Sequence, residues 1–484
     1  MHMQIRRKEA VLFLKKGNQN NFFFLVCALV LTGCDLAPRY HVPVVSTPVS
    51  YSEATRWQEA KPADTVPRGA WWRVFHDPTL NALEPRVDSA NPDLQAQTAI
   101  YDQARALLAE AQSGIFPQLQ LGGHISTNRQ SNNRPLRGKD EPNQYLDNAV
   151  DTQATYELDL WDRVANSIKA GKAAAAASAA DVASLRLSLH AELATDYFTL
   201  RGLDAEAQLY ANTVTAYSQA LTLTQNRFAG KIASGMDVSR AASQLHDAQA
   251  QATDIAARRA LAAHAIALLI GVPPGALPIP PEIASVRVPS TAAGVPATLL
   301  QRRPDIASAE RAVAAANAEI GVVRAAFYPN ISLNLEFGIQ DTGFNLASLG
   351  NSFWSVGPGA TLPIFEGGLR TAEEKAAFAV YRRTVADYRA TVLDAFRDVE
   401  DELALLHWLG DELTQEQRAV AAAQQTVTMS MALYRDGAAN FLEVVTAQTA
   451  ELQAERAALN ISTRRLQASV SLIRALGGGW QDNG

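Results

Sequence analysis

Two stretches of the chain, residues 163–228 and 369–434, contain no proline, and their only glycines are Gly171, Gly202 and Gly410. Alanine, the strongest helix former, is abundant, with an unbroken run over 173–177. Apolar residues recur every three or four positions: Leu185, Leu189, Leu193, Tyr197 and Leu200 in one stretch, Val392, Phe396, Val399, Leu403 and Leu406 in the other. That spacing predicts two helices with coiled-coil-like seams and polar outer faces. At ~1.5 Å per residue each spans roughly 100 Å. A globular domain cannot enclose such a helix, so both must project from whatever anchors them. Further helices are expected over 236–270 and 442–476, which makes each long helix one arm of a hairpin.

The hairpins belong to a tandem repeat. Asn91-Pro92-Asp93 and Arg303-Pro304-Asp305 each open a helical stretch, which ends in Phe116-Pro117 or Tyr328-Pro329, at an offset of 212. Leu158-Asp159-Leu160-Trp161-Asp162 corresponds to Leu362-Pro363-Ile364-Phe365-Glu366 at 204, and 228–238 to 434–444 at 206. A unit of about 210 residues is too long for a solenoid repeat. It predicts an internally duplicated domain with pseudo-two-fold symmetry.

Each repeat also carries two runs of period-2 alternation, predicting strands at about 118–127, 150–160, 330–340 and 353–365. The clearest sets Ile331, Leu333, Leu335, Phe337 and Ile339 against Ser332, Asn334, Glu336, Gly338 and Gln340. Runs of about ten residues suit tilted transmembrane β-strands. The polar faces carry Asp151, Glu157, Asp159 and Glu336, expected to be uncompensated carboxylates facing a water-filled lumen. A soluble sheet with one wet face gives the same alternation and is favoured on that signal alone; the loops and the N-terminal segment described below tilt the reading back toward a membrane. Residues 128–148, rich in Asn, Arg, Gly and Pro, read as an exposed loop. Four strands cannot close a barrel, which needs about eight, and open edges are not tolerated in lipid. Strands that span a bilayer here must be pooled from several chains, and three chains give twelve.

The N-terminus reads as a targeting segment. Arg6, Arg7, Lys8, Lys15 and Lys16 precede an apolar run at 22–31, the layout of a signal peptide. It ends in Leu31-Thr32-Gly33-Cys34, which resembles a bacterial lipobox. In such sites the leader is cut before the Cys, whose thiol then carries diacylglycerol and whose new amine is acylated. The alternative is a buried anchor helix with an incidental Cys. Cleavage removes five basic residues and Glu9, taking the net charge from −6 to −10. Asp35 would follow the lipidated Cys, a position where Asp in some bacteria keeps a lipoprotein at the inner membrane. The expected divisions are a signal peptide at 1–33, a lipidated and equatorial segment at 34–90, repeats at 91–272 and 303–476, a linker at 273–302, and a tail at 477–484.

Composition narrows the function. The acidic balance argues against a nucleic-acid partner, which calls for a basic patch. Two Cys exclude a disulfide framework and a four-Cys zinc site. No His pair brackets a carboxylate as in a zinc hydrolase, and neither Gly-x-Ser-x-Gly nor a P-loop occurs. The run Glu400-Asp401-Glu402 sits on a helix, where consecutive side chains diverge. The reading is no enzyme, no metal and no cofactor, apart from the covalent lipid on Cys34.

Several motifs together resemble the TolC-like outer membrane factor family, in its lipoprotein (NodT-type) branch: Trp71-Trp72 with Phe75 and Asp77-Pro78-x-Leu80; 299–306 with Ala309-Glu310; 325–329; and 475–480. The resemblance covers nearly the whole chain after Cys34. It implies a homotrimer: a twelve-stranded outer membrane β-barrel continuous with a twelve-helix periplasmic α-barrel. It also implies a periplasmic adaptor, an inner membrane RND pump and a passive role in exporting small molecules such as drugs. The alternatives are the outer channel of a type I protein secretion system, or a periplasmic structural lipoprotein. The family's gate lies at the turn before its last long helix. Tyr434, Arg435, Gly437, Asn440, Leu442, Ala447 and Gln448 match that pattern, while Thr446 and Thr449 replace its Asp and Arg. Salt-bridge locking there loses its charged pair, and a gate would rest on Leu442 packing and on what Tyr434 and Arg435 reach. Ser234-x-x-Asp237 and Asn440-x-x-Glu443 are helix caps with an acidic third residue. Asp237 and Glu443 are then simple caps, or, in a trimer, part of a ring of carboxylates that favours cations at the opening. Gly230 sits one place early relative to Gly437, so nothing requires the two turns to share one geometry.

Overall fold

The computed structural model describes residues 34–46, 52, 68–132, 142–283, 287–289, 302–343, 345 and 348–478. Residues 1–33, expected to be a signal peptide, the loop centre at 133–141, all of 290–301 and the tail beyond 478 lie outside the described residues. The helices are α1 (Pro78–Ala90), α2 (Pro92–Ser113), α3 (Arg163–Ala229), α4 (Gly235–Leu269), α5 (Pro304–Ala325), α6 (Leu369–Arg435) and α7 (Phe441–Ala475). The strands are β1 (Gln118–Arg129), β2 (Gln144–Leu158), β3 (Asn330–Asp341) and β4 (Ser352–Thr361). Contacts divide the chain into a β unit (1–42, 102–176, 310–386) and a helical unit (43–101, 177–309, 387–484).

In the β unit the four strands form one antiparallel sheet in the order β1-β2-β3-β4. Gln118 pairs with Thr155, Ala154 with Leu335 and Leu335 with Val356. β2 starts earlier than alternation suggested, because Asn148 breaks the apolar row there. β4 stops at Thr361 rather than 365. Pro363 has no N–H to give a ladder, and Gly367 and Gly368 turn the chain at φ 60° and 91°.

The duplication is visible in the backbone. β1 and β3 start and end 212 residues apart, and α3 and α6 start and end 206 apart. The pairing of β3 with β4 reproduces that of β1 with β2 only when β2 and β4 are also offset by 206. The left-handed residues Asp162 (φ 52°) and Gly368 (φ 91°) agree with that value. The offset of 204 read from the sequence is therefore two residues off. Since two is the strand period, the faces are unaffected.

In the helical unit, Trp71, Trp72, Phe75, Leu80, Leu83 and Val87 pack on Leu193, Tyr197, Phe198 and Leu200 of α3 and on Ile266 and Ile270. The seam expected on α6 is buried throughout, at Val392, Phe396, Val399, Leu403 and Leu406. Helix ends are capped by side chains: Asp77 accepts from Leu80 N at 2.9 Å, and Asn91 from Leu94 N at 3.0 Å. The two hairpins close alike. Asn91 Nδ2 donates to Leu269 O at 2.9 Å, and Arg303, its counterpart, donates to Ala475 O at 3.2 Å. Gly271 (φ 66°) and Gly477 (φ 88°) end the hairpins, each where a Cβ would strike the backbone of Ala90 or Arg302. Glu84 is fully buried beside His190, 2.6 Å from Nδ1, and Trp72 stacks on the imidazole at 4.7 Å.

Candidate functional site

Alternation along the strands gives the sheet two unlike faces. Leu119, Leu121, Ile125, Val150, Leu333, Leu335, Phe337, Trp354 and Val356 are exposed on one face. An exposed apolar patch of this breadth marks a surface that water does not cover in the working protein. Among the described residues no helix is long and apolar enough to cross a membrane.

The opposite face is polar. Asp151 stands in register with Gly122 on one side and Gly338 on the other, and accepts from Gln153 Nε2 at 2.9 Å. A Cβ at Gly122 would come within 3.0 Å of the Asp151 carboxylate, so the glycine makes its room. Glu336 is half-buried, in register with Gln153 and Ser355. Sequence reasoning missed a belt above these residues. Asp147 accepts from Gln340 Nε2 at 2.8 Å and lies 3.4 Å from His124 Nε2, tying β1, β2 and β3. The alternation of Leu146 and Val150 with Asp147 and Asp151 carried that signal, diluted by Asn148 on the apolar face.

Two expected uncompensated carboxylates are engaged. Glu157 makes a two-pronged pair with Arg163, at 2.7 and 2.6 Å. Asp159 lies one residue past β2 and caps α3, accepting from Val164 N at 3.0 Å and Ala165 N at 2.8 Å. The strand ends directly at a helix N-terminus, whose free N–H groups and positive dipole attract these groups. Trp161 closes the junction, stacking on Tyr328 at 4.7 Å and donating to Pro329 O.

At the turns that follow them in the helical unit, α3 and α6 end identically. Lys231 N donates to Phe228 O and Ile232 N to Arg227 O; Gly437 N donates to Tyr434 O and Ala438 N to Leu433 O. Lys231 takes the left-handed conformation (φ 61°) that Gly437 takes without strain (φ 79°). The displaced Gly230 therefore changes no geometry. Ser234 and Asp237 form a full capping box, while Asn440 accepts from Glu443 N at 3.2 Å. Thr446 and Thr449 each donate to the carbonyl one turn back, at 2.8 Å. Tyr434 is buried against Phe441, its ring under the Arg227 guanidinium at 4.7 Å and its hydroxyl 3.4 Å from Thr224 Oγ1. Arg227 also donates to Arg435 O at 3.0 Å. Phe441 is the buried apolar residue of this turn at 1% exposure, whereas the adjacent Leu442 is 48% exposed. Among the described residues no cluster of three or more His, Cys, Asp or Glu could hold a metal.

Comparison with known proteins agrees with this architecture. A family model described as outer membrane efflux protein matches residues 85–272 and 295–478. The Cation efflux system protein CusC of Escherichia coli O157:H7 is 30% identical over 464 residues, 94% of this chain and 97% of the relative. The Toluene efflux pump outer membrane protein TtgC of Pseudomonas putida is 30% identical over 461 residues, 94% of this chain and 95% of the relative. The outer-membrane channel OprN superposes with a TM-score of 0.84 at 28% identity, over 92% of this chain and all of that one. These relatives are transport channels rather than enzymes. The fold class expected from the sequence stands: mainly helical, with four membrane strands per chain, as in trimeric outer membrane channels. The chain belongs to the outer membrane efflux protein family.

Proposed function

We propose that three copies of the chain close a twelve-stranded barrel in the outer membrane, continued by a periplasmic tunnel of α3, α4, α6 and α7, through which small molecules leave. The observation that carries the reading is the open four-stranded sheet, apolar on one face and polar on the other, with β1 and β4 at its edges. Edges left open in lipid cost several kcal/mol per unsatisfied backbone group. Pairing β4 with β1 of the next copy satisfies them. Asp151, Glu336 and Asp147 then line the lumen. The turns at Tyr434, Arg435, Asn440, Leu442 and Glu443, with Asp237 from the other hairpin, form the tunnel's closable end. Exposed Leu442 is its apolar plug, and Thr446 and Thr449 give that end no ion pair.

The chain acts as a passive conduit, coupled to a periplasmic adaptor and an inner membrane pump of the RND type. Cys34 carries the diacylglycerol and N-acyl chains of a lipoprotein. Relatives equally similar to this chain are named for cations and for toluene, which supports placing substrate choice in the pump. The test is deletion in the host with a panel of dyes and antibiotics. Cellular accumulation should rise across the panel and fall again with the intact gene. Unchanged accumulation combined with loss of a secreted protein would replace this reading with that of a protein-secretion channel.

A further inference from the structure

Residues 34–40 lie along one row of α5 in the β unit. Arg324 Nη1 donates to Leu36 O at 3.4 Å, Asn317 Nδ2 donates to Pro38 O at 2.8 Å, and the Tyr40 hydroxyl meets the Glu310 carboxylate. Glu310, Asn317 and Arg324 are seven residues apart, two turns each, so they form a single line along the helix. Their partners are two residues apart, the period at which an extended segment shows one side. Two of the three contacts go to main-chain carbonyls, which any residue could supply.

The registration comes from Asp35. Its carboxylate accepts from Lys169 Nζ at 2.7 Å, from Asn166 Nδ2 at 3.0 Å and from Ala37 N at 3.0 Å. Asn166 is fully buried and also accepts from Lys169, at 3.1 Å. Gly321 lets the arm, α3 and α5 meet: a Cβ there would stand 2.8 Å from the Ala37 Cβ and 2.4 Å from Asn166 Nδ2. Arg324 is braced from α6 by Glu374 at 2.9 Å and lies over the Phe378 ring. The arm ends with Cys34 N donating to Leu160 O at 3.1 Å, two residues beyond the end of β2, with Cys34 itself exposed.

We propose that the row Glu310, Asn317 and Arg324, with the Asp35 clasp, is a docking track for the N-terminal arm. The track holds the lipid on Cys34 at the rim of the apolar sheet face, where Leu158 pairs with Ile331, instead of leaving it on a free tether. The proposal rests on the lipid-anchor reading of Cys34. Acylating the Cys34 amine makes an amide that keeps one N–H, so the bond to Leu160 survives maturation, and the thiol is exposed for the thioether. Asp35 is then a positioning residue.

Hydrogen–deuterium exchange of the full-length protein purified in detergent tests this. The peptide 34–42 should keep at least one slowly exchanging amide, that of Ala37 bonded to Asp35, that the same peptide lacks when free in solution. Lys169→Met and Asn317→Leu should each speed its exchange several-fold while strand exchange and oligomer yield stay unchanged. Gly321→Ala should release the arm although alanine favours the helix. An arm that exchanges at the free-peptide rate in the parent protein, or is unmoved by Lys169→Met and Asn317→Leu, overturns the track. The same spectra weigh the N-terminal peptide. An unmodified Cys34 on a protected arm sinks the anchor reading, whereas a lipidated Cys34 on an unprotected arm sinks the track.

Discussion

Leu335 and Glu336 are adjacent at the centre of β3 and lie on opposite faces of the sheet. Leu335 pairs with Ala154 and Val356 on the apolar face, and Glu336 with Gln153 and Ser355 on the polar one. An arginine on the lipid face near the bilayer midplane costs ~2–4 kcal/mol. A trimer incurs that cost three times, ~6–12 kcal/mol in all, which rivals the ~5–15 kcal/mol that holds a typical domain folded. Leu335→Arg should therefore remove most of the folded, heat-modifiable oligomer from the outer membrane fraction. Glu336→Arg puts the same side chain among Gln153 and Ser355, where water replaces lipid. Its yield should be close to the parent's, and the reversal potential in a planar bilayer should move toward anion preference. Equal yields of the two variants would refute the facial assignment, or the membrane placement of the sheet.

Other substitutions probe separate parts of the chain. Lys231→Gly relieves a left-handed residue at the first turn and should raise stability by about 0.5–1 kcal/mol, read by chemical denaturation; a loss would mean that the lysine side chain contributes there. Burial pushes the Glu84 carboxyl up to about 7, against the hydrogen bond and charge of His190, with Asp88 adding repulsion. The native state then binds more protons than the unfolded one between about pH 4.5 and 7, so stability falls as pH rises through that window. Glu84→Gln should flatten the fall by on the order of 1–3 kcal/mol, seen as a smaller pH dependence of the melting temperature; an unchanged slope would show that Glu84 ionises normally. Leu442→Ser should raise single-channel conductance and the uptake of large antibiotics at normal oligomer levels; unchanged conductance would put the constriction elsewhere.

The long helices were legible because proline is absent and a seam recurs, and both signals are local. The strand faces were legible for the same reason, since a period of two survives a two-residue error in the repeat offset. What escaped depends on partners distant in sequence. Glu157 looked uncompensated until Arg163 was placed across the strand-to-helix junction, and Asp159 looked like a strand residue until α3 began beside it. Gly230 suggested unlike turns, yet the hydrogen bonds of the helix end impose one geometry and Lys231 accepts the strain. Leu442 stood out as apolar at a helix start, but its neighbour Phe441 is the one that packs inward. The contacts of residues 34–40 with Glu310, Asn317 and Arg324 join segments some 270 residues apart, beyond the reach of any local pattern.

In the trimer proposed above, one chain supplies a third of a closed barrel. Electron cryomicroscopy of the purified particle in detergent tests it most directly. The expected image has three copies around one axis, with β4 of each copy paired antiparallel to β1 of the next and the apolar strand face turned outward to the detergent. A particle with a different number of copies, or one that leaves β1 and β4 as open edges, would contradict it.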